Sequence, residues 1–424
     1  MDKVVYNIFI KVFTLFFKIA ALFNIKARLG VQGRKTVFSR LKANATPPYQ
    51  QVIWMHCASL GEFEQGRPVL ESLKQQYPHI TIVVTFFSAS GYEVMKNYKG
   101  ADHIYYLPMD SPSNAKRMID ALNPSLVLWV KYEYWYYYLH ELKSRNIPVL
   151  LISGIFWSTH SFFKWYGKIW RQMLFCFTHL FVQNETSKNL LSTIGFRENV
   201  SITGDTRFDR VIEIAEQFEP LPLIAQFCGD SKVMVAGSTW QDDEAELTHY
   251  IRANPQIKFI IAPHEIDAEN LKDVKEEFPD SIFYSTLINN QQKVINKEIK
   301  IPHVLIIDNV GLLSRLYQYA DITYVGGGFG ADGVHNVLEA AVYGKPVIYG
   351  PEYEKYSEAI GLVECGGGIL IENALELESI LNELWQNELL LATQGNASKN
   401  YVYANRGASK KIIQFIQEKR LLTS

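Results

Sequence analysis

Two α/β domains, each a doubly wound parallel sheet, are what three features of this 424-residue sequence predict. The first is rhythm. From residue 51 short β-rich runs (QVIWMHC, ITIVVTFF, HIYYLP, LVLWVKY, PVLLISGI, THLFVQN, VSITG) alternate with helical stretches, which is the pattern of a parallel sheet covered on both faces. The second is that the rhythm stops and restarts. It breaks over 213–231, where Pro220 and Pro222 interrupt a weakly patterned stretch, and resumes with VMVAGST, KFIIAP, SIFYST, HVLIID, ITYVGG and PVIYG. The third is composition: 48% hydrophobic and 20% charged residues, with no low-complexity tract, build cores and leave little room for long disorder. The boundaries that follow are an N-terminal segment 1–42, a domain 43–215, a domain 216–400, and a C-terminal helix in 401–424 that packs back on the first domain. The two sheets are expected to face each other across a cleft.

Charge and cysteine content exclude several functions. Forty-two Lys and Arg stand against 44 Asp and Glu, so general electrostatic binding of nucleic acid gains no support. Cys57, Cys176, Cys228 and Cys365 lie far apart, which indicates neither a disulfide scaffold nor a zinc site, and fits a reducing compartment. The charge is unevenly spread. Residues 1–42 hold nine basic side chains and the single acid Asp2, a local +8.

That basic segment begins with an apolar helix. Lysines interrupt residues 4–25 too often for a membrane span or a signal peptide. At helical spacing Lys3, Asn7, Lys11, Thr14 and Lys18 form one stripe, with Phe9, Phe13, Phe16, Phe17 and Leu22 elsewhere around the helix. A cationic stripe on a wide apolar surface suits a helix lying in the interface of an anionic membrane; a helix buried on its own domain with lysines at the rim is the alternative.

Ligands of doubly wound sheets bind beyond the carboxyl ends of the strands, so those positions matter most. In the second half, ITYVGGGFGADGVHNVLEAAVYGKPVIYGP (322–351) reads as strand, glycine-rich turn, helix and strand. A helix starting near Val334 would offer free amides to a phosphate, and His335, Asn336 and Glu339 would share one of its faces, placing a carboxylate for ribose hydroxyls. A glycine turn with a capped helix is the plainer reading. Within the turn, Gly328, Gly330 and Gly333 form G-x-G-x-x-G with Glu352 about 20 residues on, which keeps a nicotinamide-dependent oxidoreductase open. Ser238 and Thr239 end VMVAGST, and Pro263 and His264 follow KFIIA; such hydroxyls and an imidazole can bind base, phosphate or sugar, although a lone histidine is more often structural. Asp308-Asn309-Val310-Gly311 precedes a short helix as either a cap or a backbone contact to a base.

In the first half, Ser59-Leu-Gly61-Glu62 leads from a strand into a helix. S-x-x-E is a capping-box spacing, with Glu62 reaching back to the Ser59 N–H; the other reading makes Glu62 a general base made approachable by Gly61. Glu133 after LVLWVKY and Arg207 in ITGDTRFDR lie past two further strands on the same edge, as reactant-orienting charges or as salt-bridge partners.

The motifs WMHCASLGE, YEYW, GDTRFD, APHE and GGGFGADGVHNVLEAAVYGKPVIYGP resemble, in that order and over nearly the whole chain, the 3-deoxy-D-manno-octulosonic acid (Kdo) transferases of lipid A synthesis. The resemblance implies a GT-B fold of two Rossmann-like domains, CMP-Kdo as donor, and a tetraacylated lipid A precursor (lipid IVA) as acceptor on the cytoplasmic side of the inner membrane. No metal or cofactor is implied. It assigns Glu62 as general base and Glu133 and Arg207 to the transition state, Arg207 standing where the family has a lysine. It carries nucleotide contacts to Pro263, His264, Val310, Gly311, Leu312, Asn336, Val337, Leu338 and Glu339. The APHE segment is a shortened form of the family's A-P-R-H-P-E and lacks its arginine. A membrane-bound binding protein without catalysis is the remaining alternative.

Overall fold

The computed structural model describes residues 3–44, 50–290 and 301–422. The chain forms two compact units, one of residues up to Arg210 together with Gly407 onward, the other of Val211–Arg406. The division falls inside the helix Thr206–Glu216.

The first unit is a seven-stranded parallel sheet built from β1 (Val52–Cys57), β2 (Thr81–Phe86), β3 (His103–Tyr106), β4 (Leu126–Val130), β5 (Val149–Gly154), β6 (His179–Val182) and β7 (Val200–Ile202), in the order β3-β2-β1-β4-β5-β6-β7. Both faces are covered, as the unbroken apolar runs require. Val52 and Trp54 of β1 pack into one core, and Ile53, Met55 and Cys57 into the other. The second core includes Ile412, Ile413 and Ile416, so the helix Ala408–Glu418 lies on this sheet beside Phe63, Val69 and Leu73.

The helix Lys3–Ala20 is tied to the same unit by its inner face. Tyr6 Oη donates to Asp110 at 2.6 Å, the Tyr137 hydroxyl donates to Asn7, and Phe13 and Phe17 lie against Phe87. The expected stripe is corrected here: Asn7 and Thr14 turn toward the protein, and so do Phe13 and Phe17. Lys11 and Lys18 remain exposed at one edge of an outer apolar face formed by Val4, Ile8, Val12, Leu15, Phe16 and Ile19. Among the described residues no single helix is long and apolar enough to cross a membrane.

The second unit repeats the architecture with β8 (Val233–Thr239), β9 (Lys258–Pro263), β10 (Ser281–Phe283), β11 (Val304–Ile306), β12 (Ile322–Val325), β13 (Val347–Tyr349) and β14 (Gly368–Leu370), all parallel, in the order β10-β11-β9-β8-β12-β13-β14. Here β14 is a strand that sequence patterning did not single out, and the SIFYST run is strand only to Phe283 before it turns helical. Each sheet reverses its winding once, between β1 and β4 in the first and between β8 and β12 in the second. These reversals are where open α/β sheets bind ligands.

Candidate active site

Glu62 and Glu133 flank the reversal of the first sheet, one following β1 and the other β4. Glu62 lies in the first turn of the helix Leu60–Gln76 and is only 7% exposed. The capping box is absent. Ser59 makes no side-chain cap, and the Glu62 carboxylate accepts from the Ala58 N–H instead of from Ser59. Burial pushes the Glu62 carboxyl up to about 7, and the nearby Glu133 adds to the rise. The Ala58 and Tyr132 amides and the Lys131 charge pull the other way without cancelling it. A carboxylate with that pKa is matched to accept a proton near neutral pH.

Glu133 is fixed from three sides. Its carbonyl accepts from the Trp129 indole, and its Oε2 accepts from Trp135 Nε1 at 3.1 Å and bonds His56 Nε2 at 2.9 Å. His56 is fully buried in β1, and its Nδ1 lies 2.9 Å from Thr85 Oγ1, which itself accepts from Trp54 Nε1 at 2.8 Å. A threonine hydroxyl that already accepts from an indole has its own hydrogen to give. The Glu133 carboxylate can only accept, so the hydrogen of the neutral His56 ring sits on Nε2, and the Thr85 hydroxyl gives its own to Nδ1. Sequence reasoning missed His56, Thr85 and Trp135 as parts of the site; the signal was a histidine at the end of an otherwise apolar β1.

Arg207 follows β7 and pairs with the buried Asp205, Nη2 to Oδ2 at 2.8 Å, while its own N–H donates to Oδ1. Burial works to raise the Asp205 carboxyl, but Arg207 and Lys131 outweigh it and hold it below the usual carboxylate range. Gln65, on the helix that carries Glu62, also donates to Asp205. Lys131 and Ser153, past β4 and near the end of β5, hold left-handed backbone with φ of 63° and 51°, as Ser238 at the end of β8 does with 54°. Non-glycine residues in this conformation concentrate at functional sites.

In the second unit, Trp240, His264 and His335 come together beyond β8, β9 and β12. His264 stacks on His335 at 4.3 Å and on Trp240 at 4.7 Å, and Trp240 Nε1 donates to His335 Nε2 at 2.9 Å. Asn336 Nδ2 donates to Glu339 Oε1 at 2.9 Å, so this pair does share a surface. Val310 is exposed, Gly311 has a φ of 93°, and Leu312 is mostly buried.

Several expectations are corrected in this unit. The helix after the glycine turn covers only Leu338–Ala341, and the Val334 and His335 amides donate to the carbonyls of Glu352 and Gly326, so no helix N-terminus at 334 is available to a phosphate. The side chains of Val337 and Leu338 belong to the core and Pro263 ends a buried strand, so the nucleotide contacts expected at these residues fall to their backbone. Thr239 is also buried, its hydroxyl turned inward to Glu244 at 2.8 Å. Asp308 accepts from the Ser285 N–H and hydroxyl and caps no helix at 313. The dinucleotide fingerprint fails on geometry: at Gly328 and Gly333 a Cβ would meet the backbone of residues 350 and 352, so neighbouring chain, not a ligand, demands these glycines. No helix of useful length follows them.

The fold and the placement of both sites beside sheet reversals define a GT-B-like α/β protein. UDP-GlcNAc 2-epimerase from Neisseria meningitidis matches with a TM-score of 0.62 and 17% identity, over 87% of this chain and 100% of the other. MurG from Acinetobacter baumannii matches at 0.51 and 12%, over 87% and 99%. Identities this low speak to fold alone. Sequence narrows the class. The family model described as 3-Deoxy-D-manno-octulosonic-acid transferase (kdotransferase) matches residues 24–210. The 3-deoxy-D-manno-octulosonic acid transferase of Haemophilus influenzae is 28% identical over 400 residues, 88% of each chain, and that of Aquifex aeolicus 27% over 342 residues, 78% of this chain and 85% of its own. By sequence the chain is thus similar to the Kdo transferases, to the family model over its first half and to these relatives over most of its length.

Proposed function

We propose that the protein is an inverting glycosyltransferase that moves Kdo from CMP-Kdo to a primary hydroxyl of a tetraacylated lipid A precursor. The transfer of Kdo from CMP-Kdo is the family's activity; the acceptor and the residue roles are our reading. Glu62 carries it: a buried carboxyl with its pKa raised to about 7, beside the reversal of the acceptor-side sheet. Glu62 takes the proton of the acceptor hydroxyl as that oxygen bonds to C2 of Kdo. The C2–O bond to the phosphate breaks and CMP leaves with the bonding pair, so configuration at C2 inverts. Glu133, held by His56 and Trp135, and Arg207, held by Asp205, set the charge around the reacting centre. Asn336 and Glu339 present polar groups suited to ribose hydroxyls.

The outer face of the N-terminal helix supports a peripheral position on the cytoplasmic side of the inner membrane, where the acceptor resides. Its apolar residues are exposed in a row, and Lys11 and Lys18 at their edge suit anionic headgroups. Incubation with CMP-Kdo and the tetraacylated precursor tests the function. A product heavier by one or more Kdo residues in the mass spectrum is expected, whereas hydrolysis of CMP-Kdo with no glycosylated lipid would reject the proposal.

A further inference from the structure

With the Val334 and His335 amides bonded to backbone carbonyls, the anionic part of a donor has lost the helix amides expected to hold it. Another hydrogen-bond donor stands at the same strand edge. The His335 ring lies between His264, stacked on it at 14°, and Gly327, where a Cβ would come within 2.8 Å of the ring. Gly327, with φ 91°, thus makes room for this imidazole. In nearly the same plane as the ring, 16° away, the Trp240 indole donates to its Nε2. An indole nitrogen can only donate, so Nε2 is the acceptor and carries no hydrogen. Burial first, then the neighbouring His264, holds the ring's pKa down to about 4, against a smaller opposing pull from Asp332. The neutral ring therefore carries its one hydrogen on Nδ1, and among the described residues Nδ1 has no hydrogen-bond partner and is not sealed from solvent.

We infer that His335, locked as its Nδ1–H tautomer by Trp240, donates from Nδ1 to an anionic oxygen of the sugar-nucleotide donor. The inference rests on the reading of this unit as the CMP-sugar site. Two oxyanions share the chemistry, the phosphate of CMP and the carboxylate of the transferred sugar. A neutral donor suits either, because its charge does not change across the working pH range and it adds no cation that would hold the product CMP too tightly. Trp240 is a positioning residue here, acting through the ring that it fixes.

Calorimetry with cytidine and CMP, together with the KM for CMP-Kdo, tests the assignment. His335→Ala should bind cytidine as the unaltered protein does. If the partner is the phosphate, its CMP affinity should fall about 10-fold, the scale of one hydrogen bond to a charged group. If the partner is the carboxylate, CMP affinity should hold and the KM for CMP-Kdo should rise by about the same factor. His335→Asn, whose amide reaches the Nδ1 position, should retain most of the affected binding, and His335→Gln, whose amide reaches the Nε2 position, should not. Trp240→Phe keeps a ring but removes the tether, and should show the same selectivity with a smaller loss. Nitrogen-15 spectra of the folded protein should show a protonated Nδ1. Equal loss for cytidine and CMP, unchanged binding and KM in every variant, rescue by Gln as good as by Asn, or an Nε2–H tautomer would each overturn the role of His335. An unaltered protein that binds neither CMP nor CMP-Kdo would instead reject the donor-site reading beneath it.

Discussion

Each unit sets a histidine beside the reversal of its sheet and fixes its tautomer through a neighbour, but the two rings are finished differently. His56 is sealed in β1 with both nitrogens engaged, between Thr85 and Glu133. His335 has one nitrogen engaged by Trp240 and the other, among the described residues, open. An imidazole with no capacity left can only hold something else in place, whereas one with a donor left over at a strand edge can meet a ligand. The carboxylates divide in the same way. Glu62 is destabilised by burial and thereby made a better base, while Glu339 is steadied by Asn336 and suited to accept hydrogen bonds. On the function proposed above, the first site moves a proton and the second holds a molecule.

The contrast breaks most severely at Glu62. Glutamine keeps an oxygen for the Ala58 N–H but has no useful basicity, so Glu62→Gln should lower the transfer rate at least about 100-fold while CMP binding is unchanged. Its stability should not suffer. A carboxyl raised from 4.5 to about 7 keeps in the folded state a proton that the unfolded chain releases, so stability falls as pH rises through that window. The glutamine variant lacks this loss and should melt no lower than the parent at pH 8. The rate of the unaltered protein should rise with pH to half its maximum near 7, as the base form appears. Since Glu133 helps to raise Glu62, Glu133→Gln should move that limb toward acid, in addition to slowing the reaction. A Glu62→Gln protein with near-normal turnover would place the base elsewhere.

The positions of these sites were legible in sequence because strand ends are. Glu62, Glu133 and Arg207 each follow an apolar run, and the alternation that marks such runs survives wherever strands are long and buried. Strand β14 escaped because Gly367, Gly368 and two apolar residues carry no period. What the sequence could not show was how polar groups share partners. The S-x-x-E spacing is the same whether Glu62 bonds Ser59 or Ala58, and the extended backbone at Ser59 is common to both arrangements. His56, Thr85 and Trp54 are apart in sequence or on different strands, and become a chain of hydrogen bonds only through the register that sets His56 beside Thr85. The helix expected from Val334 fails for a related reason: its first amides find carbonyls on the segments around Gly326 and Glu352, which no local pattern announces.

Smaller effects should follow from the groups that position or bind. His56→Ala removes a donor from Glu133 and should reduce kcat by about 10-fold or more, with CMP affinity unchanged, because a hydrogen bond to a charged group is worth about 1.5–3 kcal/mol. In a Glu133→Gln background the same change should cost much less, since the two act as one unit. Additive losses would show that His56 supports the fold and not Glu133. In the second unit, Glu339→Ala should weaken CMP by about 1–3 kcal/mol and leave the pH limb where it was. Unchanged affinity by calorimetry would remove Glu339 from the ribose.

The mildest test lies outside both sites. The outer face of the helix Lys3–Ala20 presents Val4, Ile8, Val12, Leu15, Phe16 and Ile19 to the surroundings, with Phe16 68% exposed, while Tyr6 and Ile10 anchor its inner face. Apolar burial and charge attraction can be separated on such a surface. Lys11 and Lys18 are exposed and sit at the edge of the apolar row, so Lys11→Glu with Lys18→Glu should leave the fold intact. Each lysine near an anionic bilayer contributes about 1 kcal/mol, a contribution that salt screens. The double variant should therefore bind anionic vesicles roughly 10-fold or more weakly, with less dependence on salt, and bind neutral vesicles as the parent does. Transfer to a detergent-dispersed acceptor should not change, because both lysine side chains are exposed at the outer edge of the helix. Equal binding of parent and variant to anionic vesicles would mean that charge plays no part. The helix would then hold the membrane by its apolar row alone, a result that Phe16→Ser, acting on neutral and anionic vesicles alike, would make visible.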